Sequence, residues 1–272
     1  MARGLLATVT SVPLVFLVLA STLLLWGAFV SVGAASQPAV MSQYLALPPI
    51  HSAIDLDFLI TSAHAGGGGG AALVAFLVLI VFRAFFAITA ISLAADSHLR
   101  VRSAGTVANA FSLLRGRMAA LFVVESVFLL VVLLSLFLLV GFLGPVGVIL
   151  PLVAALYVGA FVEPVAVLEN LRPREALRAS FEVTKLLRSG HSLMVSAYIA
   201  LTIVLVIVAP GRSGVATPTV ALWVYALVGG LLNVAFLSAF VHRWLLLRPL
   251  VLEGADNERP DRDSREEPAG SV

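Results

Sequence analysis

The sequence predicts an all-α fold, a polytopic membrane helix bundle of six transmembrane helices in three hairpins, with amphipathic cytoplasmic helices after helices 2 and 4. Three observations carry this prediction. Sixty per cent of the 272 residues are hydrophobic and 12% are charged, whereas a soluble domain carries about 25% charged residues. Apolar runs of ~20 residues recur, the length that crosses a hydrocarbon core ~30 Å thick. The basic residues are concentrated in alternate connections between those runs, the loop at 32–70 having none and the loop near 212 one.

In lipid every backbone polar group needs an internal partner, so the runs are helices or strands of a closed barrel. A barrel would alternate apolar and polar residues. Leu129 to Val140 is apolar throughout except at Ser135, so helices are expected. The spans fall at about 5–31, 71–95, 118–142, 146–168, 191–209 and 219–243. The first has features of a signal peptide, because Arg3 precedes it and Val32-Gly33-Ala34-Ala35-Ser36 resembles a cleavage site. Its apolar stretch outruns the ~7–15 residues of a signal core, which favours a retained anchor over a five-span mature chain. Residues 1–253 form the membrane domain, and the polar tail at 254–272 is expected to be disordered.

Sidedness follows from the arginines. Arg100, Arg102, Arg115 and Arg117 lie between spans two and three, and Arg172, Arg174, Arg178, Lys185 and Arg188 between spans four and five. Arg243 and Arg248 close the sixth span, whereas the loop at 32–70 has no Lys or Arg. Positive residues stay on the cytoplasmic side, which places both termini inside a multi-pass protein of the cell membrane. The outer loop is broken by Pro48-Pro49, offers Ile54, Leu56, Phe58, Leu59 and Ile60 to the lipid interface, and ends in the flexible run Gly66 to Gly70. Tight turns at Gly141–Gly147 and Pro210–Pro218 close the other two hairpins.

A short pattern occurs twice. Val107, Ala110, Phe111 and Leu114, followed by Met118, are answered by Leu177, Ser180, Phe181 and Thr184, followed by Leu187. Each set lies on one face of a helix, with arginines opposite. In the second copy Arg174, Glu175, Arg178, Glu182 and Lys185 form the polar face, Asn170 is the expected N-cap and Pro173 suits the first turn. Val251-Leu252-Glu253 echoes Val167-Leu168-Glu169, so the unit is a hairpin followed by a basic juxtamembrane segment. Arg115, Arg117, Arg174, Arg178, Lys185 and Arg188 are the candidate surface for anionic lipid headgroups or a membrane or cytoplasmic protein partner.

The stretch Val167-Leu168-Glu169-Asn170-Leu171-Arg172-Pro173-Arg174-Glu175-Ala176-Leu177-Arg178-Ala179-Ser180-Phe181, after a span containing Glu163-Pro164, resembles the six-helix membrane domain attached to some glycerophosphodiester phosphodiesterases. Stand-alone relatives of that domain are mostly uncharacterised prokaryotic membrane proteins. The resemblance covers the layout of most of the chain and is concentrated in residues 160–190. It implies the bundle and no catalysis, because the phosphodiesterase activity of that family belongs to a separate soluble barrel.

Three ionisable residues lie within spans: Arg83, Glu125 and Glu163. A lone charge at the bilayer centre costs about 2.5–3.5 kcal/mol on insertion scales, so such residues pair or line a cavity. An Arg83–Glu125 or Arg83–Glu163 pair is expected, either as a static pin or as a proton relay. Pro164 cannot donate a backbone hydrogen bond and frees the carbonyl of Ala160, opening a polar site beside Glu163. Asn233 adds an interhelical hydrogen bond. His51, Asp55, Asp57 and His64 share the outer loop without a complete metal-ligand spacing. His98, His191 and His242 lie at cytoplasmic span ends. With no cysteine, disulfides and thiolate metal sites are excluded. The glycine run lacks the Lys-Ser/Thr of a phosphate loop, and no hydrolase motif occurs.

These features predict no catalytic residues, no metal, no cofactor and no nucleic-acid partner. They favour a noncatalytic membrane scaffold or accessory protein that organises lipid or partner proteins at the cytoplasmic face. The alternative is a small transporter or channel using Arg83, Glu125 and Glu163.

Overall fold

The computed structural model describes residues 11–31, 41–48, 50–52, 54, 58, 60, 69–99, 106–135, 137, 144, 146–186, 190–210 and 219–257; the side chains of 69, 71–72, 106–115, 146–149, 219 and 253–257 are not among them. Every regular element described is helical: α1 Val12–Ser31, α2 Gly69–Leu99, α3 Thr106–Leu134, α4 Val146–Gly159, α5 Val162–Glu169, α6 Pro173–Lys185, α7 His191–Ile207 and α8 Thr219–Asn257. Five stretches are long and apolar enough to cross a membrane: Val12–Ser31, Leu73–Leu99, Gly116–Leu134, Leu150–Glu169 and Val220–Leu252. At 17 residues α7 spans about 25 Å, short of a full hydrocarbon core.

Large apolar side chains also lie on the outside, among them Phe137 at 82% exposure, Leu193 and Val220 at 73% and Leu150 at 67%. Water would drive so much apolar surface together, whereas lipid solvates it.

α2 occupies the centre and packs against α1, α3, α5 and α8. α1 turns Leu14, Leu17, Val18, Leu25 and Phe29 inward. α7 rests on α4 and reaches α8 through side chains, with Tyr225 donating to the Leu205 carbonyl and Tyr198 to Asn233 Oδ1 at 2.8 Å.

The structure revises several expected boundaries. Residues 106–118 form no separate surface helix, because α3 runs unbroken from Thr106 into the apolar stretch. An amphipathic turn in phase with the following span continues the backbone ladder without a break. α8 likewise continues past 243 and through Pro249 to Asn257, so 254–257 extend the helix rather than begin a disordered tail; residues 258–272 lie outside the described residues.

Asn170 is a C-cap, not an N-cap. At φ 54° it ends α5 in the left-handed conformation that Asn tolerates. α6 begins with Pro173 after Arg172, whose backbone N–H donates to the Glu175 carboxylate at 3.2 Å.

The expected fourth span is divided at Ala160-Phe161 into α4 and α5, three residues before Pro164. α6 closes this break. Its buried face is Ala176, Ala179, Ser180 and Val183, while Phe181, expected on that face, is exposed. Ser180 Oγ donates to the Val158 carbonyl and accepts from the Phe161 N–H at 3.3 Å. Small side chains are required here because backbone groups of two segments must approach to hydrogen-bond distance. Ser180→Ala leaves both groups dry and is expected to cost about 1 kcal/mol, read as a lower thermal midpoint in detergent. Ser180→Thr, which keeps the hydroxyl, should retain part of that stability.

Candidate buried polar site

Most described residues of the connection between α1 and α2 do not lie on the surface. Met41, Ser42, Tyr44, Leu45, Ala46 and Leu47 are buried, as are His51, Ser52, Ile54 and Phe58. Of the residues expected at the lipid interface, Ile54 and Phe58 point inward, with Phe58 edge-on to Phe29 at 5.1 Å, and Ile60 is exposed. Leu56 and Leu59 lie outside the described residues.

Side chains of three distant helices hold this segment by its backbone. Asn233 Nδ2 on α8 donates to the Ser42 carbonyl at 2.8 Å. Tyr198 of α7 accepts from the Leu47 N–H at 2.9 Å, and Arg83 of α2 donates to the Ala46 carbonyl at 3.0 Å. Tyr44 returns a bond to the Leu79 carbonyl at 3.2 Å. The segment itself is short helical turns, with Ala46 N–H donating to the Gln43 carbonyl and Ile50 N–H to the Leu47 carbonyl, each at 2.9 Å, and these side chains satisfy backbone groups the turns leave over.

His51 is thereby carried into a cluster with Arg83, Glu125 and Glu163. Arg83 lies roughly 15 Å along α2 from Leu73, close to half of a hydrocarbon core. α2, α3 and α5 pack against one another, which brings Arg83, Glu125 and Glu163 to one junction. The four residues are 1–6% exposed. Arg83 Nη1 donates to Glu163 Oε1 and lies 3.1 Å from Glu125 Oε1. Its Nη2 lies 3.3 Å from His51 Nδ1, and His51 Nε2 meets Glu125 Oε2. Both pairings expected from the sequence are therefore present in a single cluster.

The hydrogen-bond directions fix the histidine. Arg83 can only donate, so Nδ1 accepts and Nε2–H donates to Glu125. His51 is neutral in this arrangement. One guanidinium and two carboxylates then leave one negative charge over, in a buried site. Glu163 Oε2 is buried without a hydrogen-bond partner among the described residues.

Ligating atoms of His51, Glu125 and Glu163 lie within 4.8 Å of one another, a spacing that suits a metal ion. Arg83 stands against both carboxylates and already supplies a cation at that point. Among the described residues His51 joins Glu125 and Arg83; Asp55, Asp57 and His64 lie outside the described residues.

The remaining candidates are distributed around this site. Asn233 makes its expected interhelical bond and also holds the inserted segment. Arg174, Arg178 and Lys185 are exposed on α6, Arg117 is half-buried, and the side chains of Arg115 and Arg188 lie outside the described set. His98 stacks on His242 at 4.4 Å and bonds Ser238 Oγ at 3.1 Å. His191 is buried, with Nε2 donating to the Tyr157 carbonyl at 2.5 Å. Sequence reasoning missed the roles of His51, Tyr198 and Ser180. Tyr198 is a polar ring within an apolar span, Ser180 a hydroxyl on the apolar face of a charged helix, and His51 follows the Pro48-Pro49 pair.

Compared with known proteins, the chain matches no family model, no curated protein and no solved structure.

Proposed function

We propose that this protein is a multi-pass membrane protein that carries protons through the His51–Arg83–Glu125–Glu163 cluster, as a small proton-coupled transporter or channel. The supporting observation is the unbalanced charge count at a buried site among apolar helices. One further proton balances the cluster. Glu163 is its carrier, because Oε1 is engaged by Arg83 and Oε2 accepts no hydrogen bond among the described residues. A divalent ion beside Arg83 would instead leave an excess positive charge.

The six-span layout, with both termini cytoplasmic, belongs to the same reading and rests on the arginine distribution. His51 then approaches from the outer side, and Glu163 lies toward the inner side on a span broken two residues before it. Chains of carboxylates and histidines at such depths serve proton movement in pumps and transporters. A scaffold, the reading the sequence favours, needs no sealed ionisable cluster. Burying four such groups is costly, so the geometry favours transport.

The test is proton flux into liposomes containing the purified protein, followed with an enclosed pH-sensitive dye under an imposed potential. Glu163→Gln keeps the shape and an Arg83 partner but cannot exchange a proton, and flux should fall at least tenfold, about 1.4 kcal/mol in barrier. A carbodiimide that modifies protonated buried carboxyls should label position 163 in the native protein only. Equal flux in native and variant protein, or none in the native protein, would sink the proposal.

A further inference from the structure

α6 has two faces that serve different partners. Inward it presents Ala176, Ala179, Ser180 and Val183 to the α4–α5 break. Outward it carries Arg174, Arg178 and Lys185, the last paired with Glu182 at 2.7 Å, and with the N-cap Arg172 these outnumber Glu175 and Glu182 by two. Phe181 lies on that outer side, 44% exposed, with Lys185 Nζ 4.8 Å from its ring centre. A large aromatic side chain beside several bases suits a bilayer boundary: the ring enters the acyl region and the cations meet phosphates. Charge complementarity selects an anionic phospholipid over a zwitterionic one.

The inward face leads to the ionisable cluster. Ser180 bridges the two sides of the break, donating to Val158 and accepting from Phe161. Phe161 is fully buried, packed 5.3 Å from Phe240 and 5.4 Å from His191. Glu163 follows two residues later. Beyond it, Glu169 accepts from Trp244 Nε1 at 3.0 Å, so α5 is pinned to α8 at its far end. Glu163 is thus held by Arg83 on one side and by the break on the other, and Ser180 supplies the hydrogen bonds by which α6 holds that break.

We propose that anionic phospholipid headgroups dock on the outer face of α6 and, through Ser180, hold the α4–α5 break in the conformation that positions Glu163. The consequence for proton movement rests on the transport reading above; the docking and the ordering of the break do not.

Backbone hydrogen exchange in nanodiscs tests it, comparing phosphatidylcholine alone with phosphatidylcholine plus phosphatidylglycerol. Phosphatidylglycerol should slow exchange at Phe161 and Val162 by about tenfold, within the usual range of coupling between sites. The triple variant Arg174→Gln, Arg178→Gln, Lys185→Gln should lose that response, with lipid affinity falling about fivefold per neutralised residue. Ser180→Ala should retain protection of α6 by phosphatidylglycerol but lose it at the break, which separates docking from transmission. Identical exchange in both lipids, or a triple variant that responds like the native protein, would overturn the proposal. So would protection that appears only on adding a cytoplasmic protein. Slowed exchange in a protein that conducts no protons would uphold this inference and remove the transport reading.

Discussion

Arg83→Ala should be the most damaging single substitution in this protein, lowering stability by about 3–5 kcal/mol, the cost of removing one partner from a buried ion pair. Arg83 is 2% exposed and serves four groups: Glu163, Glu125 at 3.1 Å, the Ala46 carbonyl at 3.0 Å and His51 Nδ1 at 3.3 Å. Its loss leaves two carboxylates facing one another without a counter-charge. It also removes the donor that holds the inserted segment at Ala46.

Thermal unfolding in detergent gives the measurement, and companion variants give the cause. Arg83→Lys keeps the charge, but a single ammonium cannot reproduce a fork that reaches groups on several segments, so it should recover only part of the loss. Adding Glu125→Gln and Glu163→Gln to Arg83→Leu removes every formal charge of the ion pairs and should restore most of the stability, since a neutral replacement of a whole buried set is often tolerated. The triple variant should nevertheless carry no protons. If Arg83→Ala unfolds like the native protein, the cluster is not closed as described.

Much of this site was legible in the sequence, and the reason is energetic. A charge within an apolar span is too costly to leave unpaired, so Arg83, Glu125 and Glu163 point to one another wherever the helices allow. Pro164 likewise marks the place where the fourth span breaks. The inserted segment was not legible. Ser42, Gln43, Tyr44, His51 and Ser52 around Pro48-Pro49 read as a polar loop, because what buries them is a set of acceptors and donors some 35 to 190 residues away. Periodicity sees only neighbours. The inward face of α6 was read in part: Leu177 and Ser180 do pack inward, but apolar spacing also selected Phe181, whereas the break beneath requires the small residues Ala176 and Ala179. The continuity of α3 was hidden because an amphipathic lead-in and an apolar span share one helical period.

The seat of the inserted segment yields the second large effect. Gly229 and Gly230 on α8 have no side chain where two neighbours press in. A Cβ at Gly229 would collide with Ser42 Cβ and lie 3.1 Å from its Oγ and 3.4 Å from its Cα; one at Gly230 would meet Val18 Cγ1 of α1 at 2.7 Å. Val18 has a side chain that can shift, but at Gly229 the obstacle extends to backbone. Gly229→Val should therefore lever residues 41–47 away from α8 and cost about 1–3 kcal/mol as an overpacked site. The displacement breaks the Asn233 bond to the Ser42 carbonyl first, then weakens the Tyr198 bond to Leu47 and the seating of His51. Ser52 provides the reporter. It is 1% exposed in a chain without cysteines, so Ser52→Cys introduces one shielded thiol of similar shape. In the otherwise native background this thiol should resist a membrane-impermeant maleimide, and with Gly229→Val it should react while the helices remain folded. Equal labelling in the two backgrounds would mean that α8 does not hold the segment in place. Selective labelling with loss of proton flux would instead tie the glycine seat to His51, since the substitution touches none of the four ionisable residues directly.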